Sequence, residues 1–347
     1  MILNSIREQI MTNMSDAMRC TIFDRTINHD SFTHIQQQVS VSQTPLQTPT
    51  FSKRYVEYEC AFEKQSDFNN ARPTAIIPIR DCPEIIIMCL ESMKKTGTFD
   101  LINVIVVDDR SNVDIKSVAN SYGISYLRID YTSTFNFSML CNIAAKICKD
   151  LGNSQVIMWN ADLYISDRKN LEILIAKHNK NNSDISGTKL LYPPIEYSIS
   201  NEYDTHNILT HFPSMAGKWR GTVQFGGSKY IDIPNSAIHT SPIHKHRFET
   251  KEKASYDAKS DFVTGAFQML ELYSFISIGG YNPSLEKNFQ DVELCKATSN
   301  VWYFGQDVEF YHDESPVFEA HKNKSGKQII SDQILYDLLN SKEYTNE

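Results

Sequence analysis

No two cysteines in this chain have C-x-x-C spacing, and the seven present (Cys20, Cys60, Cys82, Cys89, Cys141, Cys148 and Cys295) are odd in number. That excludes a zinc ribbon and a disulfide framework and points to a reducing compartment. The stretch from Met1 to Glu8 lacks the continuous apolar segment of a secretory signal, and no apolar run reaches the length of a membrane span. A soluble, cytoplasmic protein without a transmembrane segment is the expectation. Basic runs are missing too. Lys and Arg number 34 against 42 Asp and Glu, a net charge of −8, which argues against a nucleic-acid partner. The densest basic cluster, His244-Lys245-His246-Arg247, reads as a solvated loop, and no Cys or acid stands beside His244 and His246 to complete a metal set. Neither G-x-G-x-x-G nor G-x-x-x-x-G-K-[ST] occurs, so a dinucleotide fingerprint and a P-loop are absent.

What the chain does have begins late. Residues 1–72 read as an N-terminal extension. Gln36 to Ser52, rich in Gln, Ser, Thr and Pro, is linker-like, and Ile2 to Met18 has the pattern of a short amphipathic helix. From Thr74 onward strand and helix alternate. Thr74–Ile79 is a buried strand, and Asp81, Pro83 and Glu84 start a helix that stops at Gly97. Ile102–Val107 is the second strand, followed by Asp108-Asp109, and a second helix runs from Val113 to Gly123. Ile124–Ile129 is the third strand. Ser138 is placed to cap a third helix, whose apolar stripe is Leu140, Ala144, Ile147, Cys148 and Leu151. Gln155–Trp159 is the fourth strand, running out into Asn160-Ala161-Asp162.

Such alternation predicts right-handed crossovers and a mainly parallel sheet. Parallel strands bring their C-terminal ends together, so Asp108, Asp109 and Asp162 should line one crevice. Carboxylates grouped in a cleft need a cation or a donor to be tolerated. The plainer alternative is that Asp162 ends a turn and that Asp109 or Ser111 caps a helix.

Beyond Asp162 the expectation is a helix over Lys169–Asn179, a strand over Ile185–Tyr192, and a long loop-like connection from Pro193 to Ser260 carrying His206, His211, His239, His244 and His246. Phe262–Leu270 reads as a strand in which Gly265 permits close approach of a ligand, and a short helix ends at Gly279-Gly280. Asp291 falls in the first turn of the following helix, where a surface acid is also favoured by the helix dipole. Lys327–Leu339 is a final amphipathic helix, read as structural.

Taken together, several of these stretches resemble the family 2 glycosyltransferases, from about Thr74 to Pro316. Ala75-Ile76-Ile77-Pro78-Ile79-Arg80 resembles the opening strand and its Pro-Thr-Tyr-Asn turn, departing from it at Ile79 and Arg80. Val106-Val107-Asp108-Asp109-Arg110-Ser111 is similar to Val-Val-Asp-Asp-Gly-Ser, whose acids recognise the base and ribose. Phe135-Asn136-Phe137-Ser138, with Asn142, resembles a phrase of bacterial polysaccharide-synthesising members. Asn160-Ala161-Asp162 stands where the family has Asp-x-Asp or Asn-x-Asp. Gly221 to Gly227 is a looser form of Gly-x-Ile-Gln-His-Ala-Gly. Val263-Thr264-Gly265-Ala266, Ile278-Gly279-Gly280-Tyr281 and Asp291-Val292-Glu293-Leu294-Cys295 follow the acceptor-side block in order, and His312-x-x-Ser315 resembles the closing His-x-x-Ser.

The resemblance implies a GT-A fold, a Rossmann-like mixed, mainly parallel sheet flanked by helices, with a C-terminal helical tail over 317–347. The domain would cover 73–316, with a nucleotide-binding half over 73–162 and an acceptor half over 163–316. It implies an inverting transfer from a nucleotide sugar to a glycan or other hydroxyl acceptor, with a UDP-sugar favoured and GDP or dTDP also compatible. Asp291 would be the base. Asp162 and His312 would hold Mn2+ or Mg2+. Pro78, Arg80, Asp108, Asp109, Asn136, Asn160, Ala161 and Gly265 would line the nucleotide sugar. Asn160 in place of an acid predicts weak metal affinity. It also keeps open a second reading, a non-catalytic sugar-nucleotide or glycan-binding module.

Overall fold

The computed structural model describes residues 58–132, 134–194, 219–232 and 240–313. The segments Ile2 to Met18 and Lys327 to Leu339, together with His206, His211, His239 and Ser315, lie outside the described residues. The chain order is β1 (Glu59–Glu63), β2 (Thr74–Ile79), α1 (Pro83–Thr96), β3 (Asn103–Asp108), α2 (Ile115–Ser121), β4 (Ser125–Asp130), α3 (Phe137–Asp150), β5 (Gln155–Trp159), β6 (Leu163–Tyr164), α4 (Arg168–Lys180), β7 (Ile185–Leu191), β8 (Val223–Phe225), β9 (Ser228–Asp232), β10 (Thr240–His244), β11 (Asp257–Lys259), β12 (Phe267–Glu271), α5 (Leu272–Ser277), α6 (Gln290–Lys296) and β13 (Val301–His312).

One sheet holds the domain together, with strands in the order β1-β4-β3-β2-β5-β12-β7-β13-β11; β6 adds to β13 and β8 to β7. The run β4-β3-β2-β5 is parallel, as the alternation predicts. Its strands β2 and β3 are buried at every position, the signature of strands covered on both faces. Parallel pairing recurs between β7 and β13, while β12 lies antiparallel between β5 and β7. The sheet is therefore mixed, with its parallel character concentrated in the first half. Because β12 reverses direction, β7 and β13 again run the same way as β5. The C-terminal ends of β2, β3, β5, β7 and β13 share one rim with the N-terminal start of β12.

Several elements depart from the sequence expectation. Glu59–Glu63, assigned to the N-terminal extension, pairs antiparallel with β4. The connection over 193–260 contains β8, β9, β10 and β11, strands of three to five residues, too short for periodicity to reveal. The strand expected over Phe262–Leu270 starts only at Phe267, so Gly265 lies in the loop before it. Helix α3 is capped by Asn136, which accepts from the Met139 N–H at 2.9 Å; Ser138 instead donates to Leu285 O at 2.5 Å. At α1 the N-cap is Cys82, without a side-chain bond, and Gly97 closes the helix in the left-handed conformation as anticipated.

The far end of the sheet carries a buried polar chain. His178, fully buried on α4, shares a 2.6 Å hydrogen bond with Ser186 Oγ and donates from Nε2 to Glu271 Oε1 at 3.2 Å. Gln155 Nε2 donates to the same carboxylate at 2.5 Å. Burial alone would raise the Glu271 carboxyl, but the bonds from His178 and Gln155 outweigh it and leave it below the ordinary glutamate range. A depressed carboxylate stabilises the fold above its unfolded pKa, and that contribution disappears as the pH falls through the folded value. Glu271→Gln is therefore expected to lower the urea midpoint at neutral pH, with the gap to wild type closing below about pH 4. A gap independent of pH between 3 and 7 would show that the charge contributes nothing.

All six described cysteines are free thiols. Among the described residues no helix is long and apolar enough to cross a membrane.

Candidate active site

The turn after β5 is built from the core outward. Trp159 is fully buried, with its ring edge-on to Phe267 (5.2 Å) and Phe310 (5.4 Å). Its indole N–H donates to Leu163 O at 3.1 Å, and Leu163 N–H donates to Asn160 O at 3.1 Å. The apolar strand end thus pins the loop Asn160-Ala161-Asp162. Next, β6 pairs with the end of β13, setting Leu163 opposite His312, and Asp313 N–H donates to Asp162 O at 3.1 Å. This pairing delivers His312 Nε2 to 3.3 Å from Asp162 Oδ1 and 3.5 Å from Asn160 Nδ2. Asp162 and His312, 150 residues apart in sequence, meet as the sequence reading requires.

The donor set suits a hard divalent cation. A carboxylate, an imidazole and the nearby Asn160 amide are donors that Mn2+ accepts, and Mg2+ accepts the oxygens among them. Among the described residues there is no cluster of three or more His, Cys, Asp or Glu side chains around a common point. A cation held here would take its remaining ligands from water and an anionic substrate. Burial, followed by the charges of Glu84, Asp81 and Asp162, pushes the nearby Cys82 thiol up to about 12, so it stays protonated and is no nucleophile.

Two strands away, Asp108 and Asp109 end β3. Both are buried. Asp108 accepts from Ser111 N–H (2.8 Å), Tyr126 Oη (2.5 Å) and Arg128 Nη1 (3.1 Å). Asp109 accepts from Arg110 Nε at 2.8 Å and faces Arg80 Nη1 at 3.5 Å. Burial raises the Asp109 carboxyl, and the two arginines offset part of that rise. Pro78 sits within β2 opposite Val107. Asn136 is engaged as a helix cap, and its Nδ2 donates to Pro283 O at 2.9 Å. With Ser138 and Asn142, which bonds Tyr281 in both directions (2.8 and 2.9 Å), it sutures the loop before α6 onto α3. The Phe-Asn-Phe-Ser phrase therefore supports the far side of the site from beneath.

That loop leads into α6 and Asp291. The Asp291 carboxylate accepts from Gly265 N–H (2.6 Å) and from Val292 N–H (2.9 Å). Burial raises its pKa above the ordinary aspartate value, with the Gly265 and Val292 amides pulling the other way. A Cβ at Gly265 would lie 3.2 Å from Asp291 Cβ, a tight contact that Asp291 would have to relieve by shifting a few tenths of an ångström. The next residue, Ala266, accepts at its carbonyl from Asn160 N–H at 3.0 Å. Asp291 is thus linked to the Asn160–Asp162 turn through two consecutive backbone groups.

Backbone strain gathers on this rim. Among the described residues seven non-glycine residues have positive φ, and five of them flank it: Asp81, Arg110, His246, Phe248 and Phe289. Such conformations persist where surrounding structure enforces them, commonly at functional sites. Arg110 and the aromatic group at the end of β7 escaped the sequence reading. There Phe248 stacks on Tyr192 (5.8 Å, 3°) and against Trp219 (4.3 Å). For Arg110 a signal existed, since it stands where the resembled motif has glycine. For the aromatics there was none, because the segments that carry them are distant and irregular.

Comparison with known proteins agrees with the sequence reading at the level of family. Residues 74–241 match the model of "Glycosyl transferase family 2". No curated protein sequence matches the chain. Among solved structures, GalNAc-T7 with UDP, GalNAc and Mn2+ is similar at 13% identity and a TM-score of 0.48, over 71% of this chain and 44% of that one. TarS 1–349 of S. aureus is similar at 15% identity and 0.44, over 78% and 71%. The mannosyltransferase PcManGT from Pyrobaculum calidifontis, with GDP-Man and Mn2+, is similar at 11% and 0.41, over 90% and 68%. The chain spans less than half the length of the first of these. Over 74–241, at the heart of a mixed α/β sheet whose rim carries the acids, this chain is similar to glycosyl transferase family 2.

Proposed function

We propose that this protein is an inverting GT-A glycosyltransferase that moves a sugar from a nucleotide donor, a UDP-sugar by preference, to a hydroxyl of a glycan acceptor. The observation that carries the reading is the link from Asp291 through Gly265 and Ala266 to Asn160. It puts a carboxylate of raised pKa beside the turn that bears Asp162 and His312. A carboxylate that holds a proton more tightly is the better general base, and it needs reach to the acceptor hydroxyl. Asp291 would take that proton as the hydroxyl attacks the anomeric carbon, and a single displacement inverts the centre. Asp162 and His312 would hold the cation, with Asn160 beside them, and a bound Mn2+ or Mg2+ supplies the positive charge that lets the nucleoside diphosphate leave.

Gly265→Ala tests the placement of the base. The added Cβ presses on Asp291 and displaces it by a few tenths of an ångström, so kcat should fall by up to roughly tenfold, because a 1 Å misplacement of a reacting group costs about 100-fold. Donor affinity should change less than kcat. An unaltered kcat would mean that the carboxylate needs no such approach.

The reading as a whole is tested by calorimetry with UDP-, GDP- and dTDP-sugars, with and without manganese, followed by a transfer assay. Metal-independent binding of every donor would remove the role of Asp162. Binding with neither transfer nor donor hydrolysis would favour the second reading, a sugar-nucleotide-binding module; Asn160 in place of an acid is the feature that points that way.

A further inference from the structure

A buried polar atom without a partner has given up its bonds to water and received none from the protein, which weakens the fold. Such an atom in a native structure calls for an explanation, and one stands beside the acid of the acceptor half. Gln290 is 5% exposed, and its Oε1 is buried with no hydrogen-bond partner among the described residues.

The chain around it is held closely. On the loop before α6, the carbonyls of Pro283 and Leu285 accept from Asn136 and Ser138, and Phe137 N–H donates to Glu286 O at 2.8 Å. Phe289 then turns the chain at φ 63°, a conformation that a bulky L-residue rarely adopts. Strain of this kind persists where the surroundings enforce it, commonly at functional sites. Gln290 and Asp291 follow as the first two residues of α6, and the Asp291 carboxylate ties the helix to Gly265 N–H. The segment is thus fixed at several points, and the Gln290 oxygen is still left without a donor.

The chemistry of that oxygen names what it would meet. An amide oxygen only accepts, so its partner must donate. A phosphate or carboxylate brings acceptors and is refused there. A hydroxyl donates, and Asp291, the next residue, is the group that would receive the proton of the attacking hydroxyl. We propose that Gln290 holds the acceptor by the hydroxyl on the carbon next to the one that attacks. The acceptor class is then a sugar with two neighbouring free hydroxyls, one for each of two neighbouring residues. The proposal rests on the reading of Asp291 as the base. Gln290 takes no part in the displacement; it sets the acceptor against Asp291.

Gln290→Met tests this, because it keeps the length of the side chain and removes the orphaned oxygen. The urea midpoint of the variant should equal or exceed that of wild type, as nothing in the fold bonds that atom. Transfer is then measured to a panel of methyl hexopyranosides, and the best of them is compared with its deoxy analogue, which lacks the hydroxyl next to the site of transfer. Wild type should use the analogue about tenfold less well in kcat/KM, the worth of one neutral hydrogen bond. The variant should lose about tenfold on the parent sugar and nothing further on the analogue, so that the two losses do not add. UDP affinity with manganese, read in parallel, should move less than twofold. Losses that add, an unchanged kcat/KM on the parent sugar, a loss in UDP affinity instead, or a lowered urea midpoint would each overturn the inference. Wild type that binds UDP but transfers to no sugar of the panel overturns it too and leaves the donor reading standing. Failure to bind any nucleoside diphosphate removes the proposed function and this inference with it.

Discussion

Asp291→Asn is expected to lower the transfer rate by roughly 10²–10⁴-fold, the range that a positioned general base contributes. Donor binding should be untouched. The substitution is close to isosteric, and the asparagine Oδ1 can still accept from Gly265 N–H, so the junction of loop and α6 survives. The raised pKa of the carboxyl sets the sign of two further effects. Wild-type kcat should climb with pH through a range above the ordinary aspartate value of about 3.9, and the variant should lose that limb. A carboxyl whose pKa rises on folding also costs stability once the pH exceeds its unfolded value. The variant should therefore melt no lower than wild type at pH 7, and a large fall in its melting temperature would assign Asp291 to architecture. Full activity would move the base to another residue.

Asp162→Ala should abolish the strengthening of UDP binding by manganese, a loss of at least about 100-fold, since even groups that merely support a metal ligand are worth 10–100-fold. Two features make the effect large. Among the described residues no cluster of three or more potential metal ligands replaces the lost acid. The rest of the turn is fixed independently of this side chain, because Trp159 holds Leu163 and Asp313 bonds the backbone carbonyl of Asp162. His312→Ala should weaken the same dependence to a smaller degree, as it removes a neutral donor and leaves the charge. Manganese titrations in the presence of UDP, on both variants, read this directly. A manganese effect that survives in Asp162→Ala would place the cation elsewhere.

Much of the rim was legible from sequence because its strands are continuous apolar runs that end abruptly in acids. Thr74–Ile79 and Asn103–Asp108 are buried throughout, so nothing in them competes with the strand signal. The other half was harder for a physical reason. Strand β13 alternates aromatic and polar residues, contains Gly305, and breaks register between Phe304 and Glu309, with Asp307 at φ 61°. A twelve-residue strand interrupted in this way shows no single period, although it delivers His312. Asn136 illustrates a different limit. Asparagine suits both a helix cap and a ligand contact, and only the bonds to Met139 and Pro283 reveal which way this one faces. Arg110 was visible as a residue standing where the motif has glycine, but the consequence, a guanidinium folded over Asp109, depends on a backbone angle that sequence does not encode.

Strand β12 has a bearing on how the molecule can be divided. It pairs with β5 from Phe267 to Glu271 on one side and with β7 at Met269 and Leu270 on the other. A residue far along the chain thus forms the seam between the segment that ends at Asp162 and the one that follows. Two polypeptides cut in the β5–β6 turn would each expose one unpaired edge of a central strand, β5 in the first and β12 in the second, aggregation-prone alone. Mixed during refolding, they have a reason to find each other, because β12 of the second can dock only on β5 of the first. Fragment complementation, with recovered donor binding as its signal, would turn that seam into a conditional switch on the whole site.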